Sequence, residues 1–259
     1  MKAASLKKKL KNKELTIGSW VSFGFTQTCE VMSRSGGFDW LAIDMEHTAI
    51  DFDECFKLIQ LIDNTGTIPL VRIGKNDPMH IKRVMDAGAH GVIVPMVNTV
   101  EDARKAIDAL YYPPIGKRGA GLGRAHNYGI GFKEYKKWAD EESVLIVQIE
   151  HIEGVNNIEA ILSLEHVDGF IVGTYDLSGY VGIPQEWEHP KFLESLEKVH
   201  KVLAKTNKVG GYHVVHSNRQ ELLNKVSQGY KFIAYGVDMV FFAEKISEEI
   251  KFMSDQNFK

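Results

Sequence analysis

The chain has 259 residues, 44% hydrophobic and 25% charged, with a net charge of -3. That content supports a sizeable core, and a single α/β barrel runs to about 250 residues. The near balance of charge leaves no basic face for nucleic acid, and no run is long enough to span a membrane.

Lys2, Lys7, Lys8, Lys9, Lys11 and Lys13 crowd the start of the chain. No apolar stretch follows them as a secretory leader would require. A solvated amphipathic first helix is expected there, in preference to a contact with an anionic surface. Cys29 and Cys55 form no metal spacing and no disulfide framework, so a reducing cytoplasm is the expected setting and both thiols read as core filler.

Apolar runs rich in β-branched residues predict strands at 16–21, 38–44, 68–73, 91–95, 144–150, 167–173, 208–213 and 231–236. Most lack polar alternation, as strands buried on both faces do. Helical patterns fill most of the gaps, at 27–36, 51–64, 77–88, 99–110, 155–164, 190–206, 218–228 and 238–254. Asp51, Asp77 and Asn218 are the expected caps, Pro78 stands at a first helical position, and Gly88 and Gly229 stop their helices. Eight β/α units in this length predict a (β/α)8 TIM barrel, one domain over 1–259. The alternative is an open doubly wound sheet, which lacks its strand–GxGxxG–helix opening. Gly119-Ala120-Gly121-Leu122-Gly123 follows Pro113-Pro114, not a strand, and reads as loop. Residues 111–131 are the one long irregular segment, of the length a compact domain uses for a lid or a binding wall.

In a barrel the site lies at the C-terminal ends of the strands. Those ends carry Trp20, then Asp44-Met45-Glu46-His47, Arg72, Pro95, Glu150, Gly173-Thr174-Tyr175-Asp176, His213 with His216, and Asp238. Glu150 and Asp176 each follow a buried strand with no basic residue beside them in sequence. Burying unpaired charge is costly, and a shared divalent cation with oxygen ligands is the usual remedy. The bland alternative is a helix cap or a pair of surface acids. Two protein ligands leave positions for water and a chelating anion, which suits Mg²⁺ or Mn²⁺, with Co²⁺ and Zn²⁺ as further candidates. Arg72 interrupts an apolar strand and needs a partner, either Asp44 in a structural ion pair or a substrate oxygen. Beside a metal site the functional reading is preferred.

His47 lies three residues past Asp44, which can hold an imidazole in one tautomer and make it a proton shuttle. Glu46 competes as base, or pairs with Arg72 or Arg124. His126, His213 and His216 have no recognised zinc spacing. No predicted strand ends in lysine, which disfavours Schiff-base chemistry.

These residues carry a family likeness. Gly18-Ser19-Trp20, residues 37–47, Pro69-Leu70-Val71-Arg72, Lys117-Arg118-Gly119, Val147-Gln148-Ile149-Glu150, Val167-Asp168-Gly169-Phe170, Asp176-Leu177-Ser178 and Gly236-Val237-Asp238 resemble, in order, the HpcH/HpaI family of class II pyruvate aldolases. The resemblance implies that Glu150 and Asp176 hold the metal and that pyruvate or oxaloacetate chelates it. It further implies that Arg72 stabilises the enolate and that His47, held by Asp44, moves the proton. Amides around Gly173, Thr174, Tyr175 and Asp176 would receive the pyruvate carboxylate. The family commonly has Gly-Pro-Ala-Asp where this chain has Gly173-Thr174-Tyr175-Asp176, so Tyr175 either narrows the mouth or packs into the barrel–helix layer.

The expected activity is therefore reversible cleavage of a 4-hydroxy-2-oxo acid to pyruvate and an aldehyde. A sugar-derived hydroxyaldehyde is suggested by the polar segment Arg124-Ala125-His126-Asn127-Tyr128, if it closes on the site. Other metal-enolate chemistry, such as oxaloacetate decarboxylation or citrate-lyase-like cleavage, and a non-catalytic 2-oxo acid sensor are the alternatives. The resemblance also implies a homo-oligomer, up to a hexamer with exchanged C-terminal helices, and the apolar face of 238–254 suits that role.

Overall fold

Unbroken apolar runs have both faces to bury, and here they do so by closing on themselves. A computed structural model, describing residues 5–256, has eight parallel strands in chain order around a closed barrel. They are β1 (Thr16–Val21), β2 (Trp40–Asp44), β3 (Ile68–Arg72), β4 (Gly91–Val94), β5 (Val144–Ile149), β6 (Gly169–Val172), β7 (Val209–Val214) and β8 (Phe232–Val237). The helices are α1 (Leu6–Lys11), α2 (Thr26–Arg34), α3 (Phe52–Thr65), α4 (Pro78–Ala87), α5 (Val100–Leu110), α6 (Phe132–Glu142), α7 (Ile152–Leu162), α8 (Thr174–Tyr180), α9 (Pro190–Leu203), α10 (Arg219–Ser227) and α11 (Asp238–Asp255). Every predicted strand and helix is present with shifted ends. Helices α6 and α8 occupy stretches that periodicity had left unassigned. The caps Asp51, Asp77 and Asn218 each accept from first-turn amides. None of the helices among the described residues is long and apolar enough to cross a membrane.

Two apolar layers result. The outer one lies between strands and helices and includes both free thiols, Cys29 and Cys55. The inner one fills the barrel with Trp20, Trp40, Leu70, Ile93, Ile146, Ile171 and Phe232. Trp40 stacks on Phe232 with ring centroids 4.2 Å apart. A Cβ on Gly18 would lie 2.0 Å from the Trp40 ring, so only glycine admits that indole across the barrel.

The N-terminal end is closed by α1, whose Leu6 and Leu10 join the inner core. Lys7 corrects the expectation of a wholly solvated lysine face. Its ammonium is buried, 2.8 Å from Asp168, and donates to the Ser143 carbonyl at 2.8 Å and to the Tyr111 hydroxyl at 3.0 Å. Lys2 lies outside the described residues. The 111–131 segment is a second correction. It links a helix to a strand, and in a β/α barrel such connections return to the N-terminal end. Arg118 pairs with Asp86 at 2.5 Å and Arg124 with Asp63 at 2.8 Å, both acids at the C-terminal ends of helices α4 and α3. The segment is therefore packed against the lower flank of its own barrel and does not cover its own mouth.

Candidate active site

The register of β2 on β3 sets Asp44 directly beside Arg72. The Asp44 carboxylate accepts Arg72 Nε at 3.0 Å and Nη2 at 2.7 Å, a bidentate fork. It also accepts the backbone N–H groups of Glu46 at 3.0 Å and His47 at 3.2 Å. Burial would raise the Asp44 pKa, but the guanidinium and these donors outweigh it and hold the group below the usual range. The far face of the guanidinium stacks on Trp20, with Cζ 4.2 Å from the ring centroid.

Glu150 stands one residue past β5 and is 2% exposed. One of its oxygens accepts the Met96 N–H at 2.7 Å and the other the Gln148 side-chain amide. Burial above all, with the like charges of Glu46 and Asp176, pushes its pKa up to about 7. A Cβ on Gly173 would sit 2.8 Å from Glu150 Oε2, so glycine lets the turn into α8 lie against this carboxylate. That turn carries the partly buried Asp176. Glu46 is raised by burial, with Asp44 and Asp176 adding to the effect against Arg72 and Gln148. The mouth thus has an excess of enclosed negative charge, and oxygen donors of this kind fit a hard divalent cation. No group of three or more His, Cys, Asp or Glu side chains closes into a metal cage among the described residues. The fit therefore concerns the expected pair.

Gln148 and Glu46 are the residues that sequence reasoning undervalued. Gln148 is buried, and its amide nitrogen reaches Glu46 Oε2 at 3.3 Å while its carbonyl accepts Arg72 Nη1 at 3.4 Å. The signal was available. Residues two apart on a strand share a face, so an amide two before Glu150 points where Glu150 points.

His47 departs from expectation. Only its backbone N–H reaches Asp44, and its imidazole is 54% exposed, with Nε2 3.5 Å from Glu46 Oε2. His213 lies against Trp20, ring centroids 5.6 Å apart. Burial, and then Arg72, push its pKa down to about 3. His216 turns to Glu244 at 2.8 Å, and His126 braces its own turn through the Gly123 and Gly129 amides at 3.0 Å. Arg124 pairs with Asp63, so it is not a partner of Glu46. Tyr175 is 46% exposed and meets Trp187 edge-on at 5.1 Å. With Thr174, Phe192, Tyr212 and His213 it lines a cleft of about 550 Å³ beside the mouth, so it is not in the barrel–helix core.

The family described as HpcH/HpaI aldolase/citrate lyase matches residues 17–244. The chain belongs to this family. Among HpcH/HpaI relatives, the 2-keto-3-deoxy-L-rhamnonate aldolase of Klebsiella pneumoniae subsp. pneumoniae is 33% identical over 245 residues, covering 93% of this chain and 90% of that protein. The 4-hydroxy-2-oxo-heptane-1,7-dioate aldolase of Shigella sonnei is 35% identical over 244 residues, covering 92% and 90%. The crystal structure of the HpcH/HpaI aldolase from Desulfitobacterium hafniense superposes with a TM-score of 0.88 at 29% identity, covering 97% of each chain. The HpcH/HpaI match spans all eight strands of the barrel except the first residue of β1, so it includes every residue of the mouth.

Proposed function

We propose that the protein is a carbon–carbon lyase of the class II pyruvate aldolase type. It cleaves a 4-hydroxy-2-oxo acid reversibly to pyruvate and an aldehyde. The observation that carries this reading is the enclosed acid excess of Glu46, Glu150 and Asp176 beside the Arg72 fork. Glu150 and Asp176 would hold a divalent cation, Mg²⁺ or Mn²⁺ by the oxygen character of the donors, ahead of Co²⁺ or Zn²⁺. When bound, it supplies Lewis-acid stabilisation of charge on the 2-oxo acid.

The remaining chemistry belongs to this chain's side chains. Cleavage breaks the C3–C4 bond, removes the proton of the C4 hydroxyl and leaves the electron pair as an enolate of pyruvate. Arg72, fixed along one edge by Asp44 and on one face by Trp20, presents Nη1 to the developing oxyanion without reorganising. His47 moves the proton to and from C3. The first turn of α8, from Gly173 through Thr174 and Tyr175 to Asp176, flanks the carboxylate end of the substrate. Similarity to the rhamnonate aldolase supports a hydroxyaldehyde as the co-product. The Arg124–Tyr128 segment no longer does, because it packs at the opposite end of the barrel. The exposed face of α11, with Phe242, Ile246 and Ile250, supports self-association, and the free buried thiols support a cytoplasmic setting.

The test is exchange of the pyruvate C3 protons in D₂O with Mg²⁺ or Mn²⁺, followed by product mass across an aldehyde panel. Arg72→Ala should lose about 2–4 kcal/mol of transition-state stabilisation, about two to three powers of ten, in both exchange and cleavage. Arg72→Lys should recover part of it. Wild-type exchange by Arg72→Ala would refute the assignment.

A further inference from the structure

The two acids of the β2 end have different partners. Asp44 meets Nε and Nη2 of Arg72 and the N–H groups of Glu46 and His47. A carboxylate offers about four lone-pair sites, and these four donors take them. The same two backbone bonds fold the chain after Asp44 into a turn that carries the His47 ring away from it. Glu46 has no backbone donor of its own. Its Oε2 instead has three side-chain neighbours: Gln148 Nε2 at 3.3 Å, Arg72 Nε at 3.4 Å and His47 Nε2 at 3.5 Å.

We infer that Glu46, and not Asp44, is the positioning residue for His47, while Asp44 serves to hold Arg72. The pairing rests on geometry, and the catalytic meaning of His47 rests on the aldolase reading above. A contact of 3.5 Å is long for a hydrogen bond, yet catalytic contacts without substrate are often loose and tighten in the complex. Glu46 is itself steadied. Gln148 ties it to β5, and Arg72 ties it to β3. Acids facing it are Asp44 on β2, Glu150 after β5 and Asp176 on α8, so Glu46 can accept the imidazolium charge without being neutralised by a second arginine. The division of labour is direct: one acid aims the guanidinium at the enolate, the other aims the imidazole at the proton.

The test is a pair of double-mutant cycles read by pyruvate C3 exchange in D₂O with Mg²⁺. Glu46→Gln and His47→Asn should each lower the exchange kcat about 100-fold, the low end for a proton-transfer group, with KM little changed. The double variant should be no slower than the slower single, because both remove one device. Asp44→Asn should chiefly raise KM for pyruvate, through Arg72, and its effect should multiply with that of His47→Asn. Glu46→Asp should recover part of the lost kcat. Multiplying losses for Glu46 and His47, or a non-multiplying pair of Asp44 and His47, would overturn the inference, as would wild-type exchange by His47→Asn. Melting curves accompany each variant. The His47 ¹⁵N chemical shifts give a second readout that needs no turnover: they should move in Glu46→Gln and stay in Asp44→Asn, and the reverse pattern overturns the pairing. A wild type that exchanges no protons with any divalent cation would instead defeat the aldolase reading, while the shifts still decide the pairing.

Discussion

Both ends of this barrel bury charge, and they handle it in opposite ways. At the N-terminal end each buried charge has a partner: Lys7 with Asp168, Arg118 with Asp86, Arg124 with Asp63. At the mouth Asp44, Glu46, Glu150 and Asp176 share Arg72 as their one arginine. Desolvation penalises ions at either end, but pairing cancels the penalty at the bottom and leaves part of it at the top. Charge that is fully compensated holds the fold together. Charge left uncompensated marks where a ligand of opposite sign completes the structure, and such perturbed groups cluster at functional sites.

The comparison is broken most severely by removing what the mouth lacks. Exhaustive EDTA treatment should abolish turnover, and Mg²⁺ or Mn²⁺ should restore it and raise the melting temperature, since a ligand that binds only the folded state stabilises it. Glu150→Ala should remain folded but gain no thermal shift from either cation. Full activity after verified metal removal would sink the assignment.

At the other end the largest loss should be in stability and not in chemistry. Lys7→Ala strands Asp168 in the barrel floor and should cost about 3–5 kcal/mol in urea denaturation, the range for breaking a buried pair. The kcat of the surviving folded protein, at low temperature, should stay near wild type. A variant with intact stability and lost activity would mean that the two ends are not separable in this way.

A smaller effect is expected from His213, which sits at the mouth but is neutral. Its folded pKa is lowered from the ordinary 6.5 to about 3. Between those values the unfolded chain takes up a proton that the folded ring refuses. Stability from this group is therefore present above about pH 6.5 and is lost as the pH falls toward 3. His213→Leu should flatten that part of the stability profile relative to wild type. An unchanged slope would show that another group carries the acid sensitivity.

The smallest effect should come from Tyr175, which lines the cleft beside the mouth. Half-exposed and touching Trp187 at its edge, it should cost no more than about 1 kcal/mol as Tyr175→Ala. Cation affinity should be unaltered, while relative kcat/KM shifts toward bulkier acceptors. A large fall in melting temperature with an unchanged substrate profile would make Tyr175 a packing residue instead.

Much of this was legible before any coordinates. The eight strands were readable because burial on both faces leaves unbroken apolar runs. The caps Asp51, Asp77 and Asn218 were readable because their chemistry is local. Glu150 and Arg72 stood out as charges inside such runs. Gln148 was passed over because an amide in a strand carries less alarm than a carboxylate. Lys7 was passed over because its charged neighbours 8, 9 and 11 disguise one residue that faces inward.

Local pattern alone determined the alternation of elements, the order of the barrel and the set of polar side chains at its mouth. It could do so because periodicity, capping and burial are properties of short stretches. Which of those side chains touch was decided only by tertiary structure. The register of β2 against β3 gives Arg72 to Asp44, the curl after Asp44 hands His47 to Glu46, and barrel closure sends 111–131 to the end opposite the site. These are pairings between residues far apart in sequence or turned by a single backbone bond, and no local signal encodes the distance at which they meet.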